Sequence, residues 1–230
     1  MTRTMTYEEK IVRSEQIVRE SYLKASDISQ LVEVRDARTT DEDFLRIYKR
    51  TYIPKEWFVR EDFYSDLVFR ELGSGIALGE KKFFIGEILR QSKIKRETCS
   101  DVNFTSLVEK SRSLFETGAN PTVLFAPIEY YIKFHLEWYK DPSSRIESPD
   151  SVIISGHRYK ICWSNKYMPF NEFIFVDRRF GEWVYKPSFS ERLYVKISES
   201  DKIDQLDLLV YTTVKLGILD PSKIAIIQTS

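Results

Sequence analysis

The chain has 230 residues, enough for one sizeable domain or for two smaller ones that share a core. Its composition, 42% hydrophobic and 30% charged, excludes a disordered tail and a membrane-embedded protein. Lys and Arg balance Asp and Glu at 35 each, which argues against a dedicated nucleic-acid binder but leaves room for a local basic face. Two cysteines indicate no disulfide framework. The N-terminal sequence MTRTMTYEEK lacks the apolar core of a signal peptide, so we expect a protein that stays inside the cell and has no membrane partner.

The first 60 residues predict a helix followed by extended chain. Residues 7–24 have apolar side chains near one face of a charged amphipathic helix, either an ordinary surface helix or an arm that docks on a neighbouring subunit. Residues 28–60 predict extended segments broken at Pro54, with Arg and Asp interspersed. A two-stranded ribbon with charged flanks fits this pattern, and such a ribbon is unstable in water unless it packs on something.

Two helices are predicted next. Residues 61–91 read mainly as one long helix with Asp62 as its N-cap. Gly73, Gly75 and Gly79 predict a bend or a break in its middle. A second helix is expected over 105–117, ended by Gly118, because a glycine commonly follows the last helical turn.

After these two helices the sequence predicts one more strand and one more helix, and the remainder of the chain is predicted to be mainly strand. Residues 122–126 predict a buried strand, and Pro127 then opens an aromatic-rich helix over 128–139. Residues 141–150 (DPSSRIESPD) predict a polar loop that separates a helix-rich half from a β-rich half. Residues 203–216 are open to helix or strand, and their Thr and Val content favours strand. The other predicted strands are 152–154, 159–163, 172–176, 183–185, 193–197 and 224–227.

Three stretches carry a resemblance to a known fold. They are YIPKEWFVREDFYSDLVFRELGSGIALGEKKFFIGEIL, with ALGEKKFFIGE at 77–87, then LFETGANPTVLFAPIEYYIKF at 114–134, and LLVYTTVKLGILDPSKIAIIQ near the C-terminus. Their order and spacing resemble the shell proteins of tailed phages and of encapsulin nanocompartments over about residues 42–230. The glycines in the long helix and the short chain depart from that pattern.

The resemblance implies an α+β, phage-capsid-like fold. It has an N-terminal helical arm, an extended loop, a long spine helix and a mixed, mainly antiparallel sheet in the C-terminal half. The implied segments are 1–40 for the arm, 41–62 for the extended loop, 63–140 for a helix-rich shell domain, and 141–230 for a β-rich apical region with return strands.

The function implied by the resemblance is assembly into a shell, structural rather than catalytic. The expected partners are further copies of the chain, with an icosahedral shell as one form of the assembly, and an enclosed cargo protein or nucleic acid. The expected location is the cytoplasm for a compartment, or the virion. Two alternatives stay open: a soluble α+β enzyme, such as a metal-dependent nuclease or a hydrolase, and an adaptor module that forms a small oligomer.

Candidate subunit-interface residues lie in the extended loop. Trp57 and Phe58 are of the residue class that dominates interface energetics, so we expect them to project as anchors that a neighbouring copy covers. The alternative is that they fold back on the core of their own chain. The full predicted set is Tyr52, Lys55, Trp57, Phe58 and Arg60.

No catalytic, cofactor or metal residue is assigned from the sequence. His135 and His157 are the only histidines, and neither a His-x-x-His nor a Cys-x-x-Cys pair occurs. Cys99 lies in a charged connector and Cys162 in an apolar strand, neither of which is a recognisable nucleophile context.

Two further motifs have mainly structural interpretations. The glycines between Gly73 and Gly79 do not form the G-x-G-x-x-G fingerprint of a dinucleotide loop. The basic clusters at 93–96 and 178–179 are interpreted as solvated surface, with a shell face that meets nucleic acid or acidic cargo as the alternative.

Overall fold

The computed structural model describes residues 5–37, 43–60, 63–115, 118–164 and 168–229. Asp62, predicted to cap the long helix, lies outside the described residues. No helix in these ranges is both long enough and apolar enough to cross a membrane. The helices are α1 (Tyr7–Ala25), α2 (Ile28–Leu31), α3 (Lys55–Val59), α4 (Phe63–Arg90), α5 (Phe104–Leu114) and α6 (Tyr131–Lys140). The strands are β1 (Glu33–Asp36), β2 (Leu45–Pro54), β3 (Lys95–Cys99), β4 (Val123–Pro127), β5 (Ser144–Ser148), β6 (Ser151–Ile154), β7 (His157–Ser164), β8 (Glu172–Val176), β9 (Gly181–Tyr185), β10 (Leu193–Glu199), β11 (Gln205–Ile218) and β12 (Ile224–Thr229).

The chain divides into two compact units, each built from segments that are distant in sequence. The segment 141–150, predicted as a boundary between two halves, lies inside the second unit. The roles predicted for the four consecutive segments of a shell subunit stay predictions. The first unit contains Met1–Ser29, Val34–Phe83 and Trp183–Leu216, and the second contains Gln30–Glu33, Phe84–Glu182 and Gly217–Ser230.

The first unit is organised around the long strand β11. The sheet order is β1-β9-β11-β10, and β2 also pairs with β11. Both β10 and β2 run antiparallel to β11, so the ambiguous segment 203–216 is strand, as its Thr and Val content favoured. Every second residue of β11 is buried from Leu206 to Leu216. This alternation is typical of a sheet that is covered on one face only.

Helices α1 and α4 cover the buried face of this sheet. The amphipathic helix predicted over 7–24 is confirmed as α1, and its N-terminus is fixed by a capping box between Thr6 and Glu9. Of the two possibilities for this helix, the structure shows one that packs within its own unit. The buried cluster joins α1, α4 and the sheet through Val18, Tyr22, Phe69, Leu72, Ile76, Leu206, Leu208 and Val210.

Helix α4 is continuous from Phe63 to Arg90, so the break predicted at its glycines is wrong. The glycines serve close packing instead. A Cβ atom on Gly73 would lie 2.1 Å from the carbonyl oxygen of Val18 in α1, and one on Gly75 would lie 2.1 Å from the Lys49 ammonium nitrogen. Real Cβ contacts are not that short, so only glycine at position 73 allows the backbone of α1 to approach α4 this closely, whereas the flexible Lys49 side chain could move away from a Cβ at position 75.

The second unit contains a seven-stranded sheet in the order β3-β12-β8-β4-β7-β6-β5. The pairs β4–β7 and β3–β12 are parallel, and the other four neighbouring pairs of this sheet are antiparallel, which confirms the mixed, mainly antiparallel sheet that was predicted. All five residues of β4 and of β8 are buried, as expected for central strands.

Aromatic packing holds α5 and α6 against this sheet. The Phe104 ring of α5 makes edge-to-face contacts with Phe134 and Trp138 of α6, at centroid distances of 5.4 and 5.1 Å. It makes a third with Tyr159 of β7 at 5.8 Å. Such pairs stabilise beyond the area that they bury.

Three local predictions in the second unit need correction. The segment 141–150 is not a loop throughout, because β5 runs through it as a mostly exposed edge strand, where polar residues are favoured. Helix α5 ends at Leu114, and Phe115 is already extended, so Gly118 does not end it. Pro127 is the last residue of β4, and a 3-10 turn over Ile128–Tyr130 precedes α6.

Candidate subunit interface

The predicted extended loop lies on the sheet of its own chain. Strand β2 pairs with β11 along its whole length, from Leu45 opposite Val214 to Pro54 opposite Gln205. The expectation of a projecting two-stranded ribbon is therefore wrong for this part of the segment. The pairing is stabilised on the covered face, where Ile53 is 1% exposed.

Phe58 is buried rather than exposed. Helix α3 directs its side chain inward, where the ring lies 5.4 Å from that of Tyr7 and 6.5 Å from that of Phe69. Only 2% of Phe58 is accessible. The expectation that Phe58 is an exposed anchor is wrong, since a buried ring cannot be covered by a neighbouring copy.

The other four predicted residues reach the surface. Tyr52 and Trp57 are about two-fifths exposed. The Lys55 ammonium is 3.1 Å from a Glu199 carboxylate oxygen, and the Arg60 guanidinium is 2.8 Å from that of Glu56 one helical turn earlier. Their role in a subunit interface stays a prediction.

A second exposed surface lies on α6 and was missed by the sequence analysis. Ile132 is 71% exposed, Leu136 54% and Tyr139 84%. Together with Ile128 in the preceding turn they recur every three or four residues, the spacing of one helix face. We call these four residues the α6 stripe. The buried face of the same helix carries Phe134 and Trp138.

The signal that could have revealed the α6 stripe is present in the sequence. A helix that is apolar on both sides must be buried on both sides to be stable in water. One side of α6 is covered within the second unit and the other is exposed, which makes the α6 stripe a candidate interaction surface. The prediction of an aromatic-rich helix recognised the apolar content without separating the two faces.

A cluster of buried polar groups lies in the first unit. The Tyr22 hydroxyl donates a hydrogen bond of 2.9 Å to Glu80 Oε1 and lies 3.0 Å from the Tyr185 hydroxyl. Glu80 is fully buried in α4. Burial raises its pKa to about 7, because a charged carboxylate loses hydration there, while the Tyr22 hydrogen bond opposes the shift.

A cleft of about 580 Å³ opens beside this cluster, with Tyr22 and Tyr185 in its lining. Two ion pairs lie at the cleft, Arg19 with Glu191 at 2.7 Å and Arg192 with Asp36 at 2.6 Å. Within the described ranges, no group of three or more His, Cys, Asp and Glu side chains is arranged to hold a metal ion.

Neither a family model nor a curated protein matches this chain in sequence. Solved structures match it in fold. The subunit of the virus-like particle from Pyrococcus furiosus superposes with a TM-score of 0.69, covering 94% of this chain and 98% of that one at 16% identity.

Two other shells give the same result. The subunit of the SrpI encapsulin complex from Synechococcus elongatus PCC 7942 has a TM-score of 0.61, covering 87% of this chain and 86% of that one at 12% identity. The capsid subunit of the empty GTA particle has a TM-score of 0.64, covering 90% of each chain at 12% identity.

The chain therefore has the fold of encapsulin and phage-capsid shell subunits, as the sequence resemblance implied. The predicted α+β class, the long helix and the mixed, mainly antiparallel sheet are confirmed.

Proposed function

We propose that this chain is a structural subunit that assembles with copies of itself into a closed shell. The observation that carries the proposal is the extent of the fold match, 94% of this chain and 98% of a subunit that forms a virus-like particle. Because the match covers nearly all of both chains, it supports a shared architecture for the whole subunit rather than for one module.

The α6 stripe supports the same conclusion. Closed shells need heterologous contacts that repeat around symmetry axes. Large apolar and aromatic side chains supply most of the free energy of such contacts. Ile132, Leu136 and Tyr139 are side chains of this kind, and they lie together on one helix face.

The proposed role is assembly, and turnover of a substrate has no part in it. An enclosed cargo, either a protein or nucleic acid, remains a predicted partner. The proposed location is the cytoplasm if the shell is a compartment, and the particle itself if the shell is a virion.

The direct test is the size of the full-length protein in solution, by light scattering after size-exclusion chromatography and by negative-stain microscopy. The smallest icosahedral shell has about 60 copies, or about 1.6 MDa for a subunit of 27.2 kDa. We expect closed particles of at least this mass. A protein that stays a monomer or a dimer across a range of concentrations and salts would contradict the proposal.

The part of the α6 stripe in assembly is tested with the double substitution Ile132→Asp and Leu136→Asp. Two carboxylates at a buried contact lose hydration without gaining a partner, so we expect the large particles to be lost while circular dichroism stays native. Phe170→Asp is the matched control, because Phe170 is 73% exposed in the same unit but outside the stripe. Particles that persist with the double substitution would show that the stripe is not a contact.

A further inference from the structure

The uncovered face of the first unit's sheet carries an unusual set of side chains. Residues of β2, β10 and β11 that point away from α1 and α4 form rows across the three strands, because directly opposite residues share a face. One row is Tyr194, Tyr211 and Tyr48, the next is Lys196, Leu209 and Arg50, and a third is Ser198, Asp207 and Tyr52. We call these nine residues, with Arg46 at the end of β2, the outer sheet face.

The aromatic rings on the outer sheet face are already arranged as a stacking surface. Tyr194 and Tyr211 stack with centroids 4.6 Å apart, and the Arg46 guanidinium lies 4.6 Å from the Tyr211 centroid. Tyr48 is 65% exposed. The exposed Phe189 continues the aromatic surface beyond Tyr194, at a centroid distance of 5.8 Å.

Cations surround these rings. The Tyr52 ring has the Arg50 guanidinium at 5.5 Å and the Lys202 ammonium at 5.1 Å. Lys196 is exposed in the middle row. Of the acids on this face, Asp207 is held by two hydrogen bonds from Arg50 of 2.9 and 2.7 Å.

A cleft of about 400 Å³ lies at the Arg46 end of the face. Its lining includes Arg46, Tyr211 and Lys186, whose ammonium lies 5.7 Å from the Phe44 ring centroid. Asp43 also lines this cleft, and Asp201 lies near Arg50, so the positive charge of the region is reduced but not cancelled.

We propose that the outer sheet face binds single-stranded nucleic acid. Unpaired bases stack on exposed aromatic rings, and the phosphates between them pair with Lys and Arg, which is the combination present here. A second protein copy is the alternative occupant: Tyr and Arg are also enriched in protein interfaces, but Lys is depleted from them and Leu209 is the one aliphatic side chain in the three rows. The overall charge balance is consistent with this proposal, since the cations are concentrated locally.

The test measures binding of fluorescent single strands of about 15 nucleotides, both DNA and RNA, by anisotropy at several salt concentrations. The protein is used as purified and also with Ile132→Asp and Leu136→Asp, so that the face is measured both in particles and outside them. We expect binding that weakens as salt rises, with a duplex of the same sequence binding less well. No binding of single strands by either protein would overturn the proposal.

Substitutions locate the site. Tyr48→Ala and Tyr52→Ala should each weaken binding about tenfold, because each removes a ring on which a base stacks. Tyr48→Phe should restore the affinity, since the ring remains. Lys196→Gln should lower the slope of log affinity against log salt by roughly 0.7, the contribution of one phosphate contact on a single strand.

The controls lie in the other unit. Phe170→Ala removes an exposed aromatic ring, 73% exposed, from a surface outside both the outer sheet face and the α6 stripe and should leave binding unchanged. Equal losses from Phe170→Ala and Tyr48→Ala would overturn the assignment of the site. If Tyr48→Ala and Tyr52→Ala abolish particles while the parent protein binds no oligonucleotide, the face is instead a contact between copies.

Discussion

Trp57 and Phe58 are adjacent aromatic residues with opposite environments, which a substitution pair can separate. Phe58→Ala should lower the free energy of unfolding by about 3–5 kcal/mol, because it removes a buried ring and leaves a cavity between Tyr7 and Phe69. Trp57→Ala should cost much less, since Trp57 is 37% exposed. Urea denaturation of the two variants measures the difference.

The same pair tests the predicted interface. If Trp57 contacts a neighbouring copy, Trp57→Ala should raise the protein concentration at which particles form while changing stability little. Equal particle yield for Trp57→Ala and the parent protein would remove Trp57 from the interface.

Glu80 predicts a pH dependence of stability. Its pKa is raised from 4.5 to about 7 in the folded protein, so the folded state holds the proton more tightly than the unfolded state. The stabilisation that comes from the protonated Glu80 carboxyl is fully present below pH 4.5. It is lost as the pH rises to about 7, and the total loss in the free energy of unfolding is on the order of 3 kcal/mol. Glu80→Gln should remove this loss.

The measurement is the urea midpoint at pH 5 and pH 8. The parent protein should lose more stability between these values than Glu80→Gln does. Glu71→Gln, at an exposed position of the same helix, is the control and should behave like the parent. An identical pH dependence in Glu80→Gln and the parent would mean that Glu80 does not titrate in this window.

Helix α4 shows how packing between elements overrides local propensity. Gly73→Ala should lower the free energy of unfolding by about 2 kcal/mol or more, because a methyl group would displace the backbone of α1 at Val18. Gly86→Ala in the same helix is the matched control. A Cβ there meets nothing within 4 Å, so alanine should stabilise by about 0.5–1 kcal/mol. Thermal unfolding measures whether each variant gains or loses stability. Unchanged stability of Gly73→Ala would contradict the packing role given to that glycine.

Features that depend on residues close together in the sequence could be predicted, and features that depend on contacts between distant residues could not. Periodicity within one segment was enough for α1, and a short, continuously apolar run was enough for β4. The break in α4 was wrongly expected because the reason for Gly73 is the backbone of α1, more than 50 residues earlier. Likewise, the inward direction of Phe58 depends on Tyr7 and Phe69, which periodicity in a five-residue helix cannot reveal.

The candidate interaction surfaces show the same difference between local sequence and contacts with distant residues. The four exposed residues of the predicted interface were found by residue type alone. The outer sheet face was not found, because its rows combine β2 with strands near the end of the chain. Only the register of the sheet places Tyr48 beside Tyr211.

At the scale of the whole molecule, assembly should make stability depend on concentration. A partner that binds only the folded state stabilises that state by mass action. The midpoint of thermal unfolding of the parent protein should therefore rise by a few degrees with concentration, and that of the Ile132→Asp and Leu136→Asp protein should not. Phe170→Asp should follow the parent, and a concentration-independent midpoint in all three would contradict assembly.

The pairing of β2 with β11 also sets an order of events during synthesis on the ribosome. Leu45 and Pro54 of β2 pair with Val214 and Gln205 of β11, which are synthesised much later, so β2 has no partner strand until then. At the usual rates of translation this delay is on the order of ten seconds. The nascent chain therefore cannot complete the sheet of its first unit until β11 has been synthesised, so β2 stays without its partner strand during that interval.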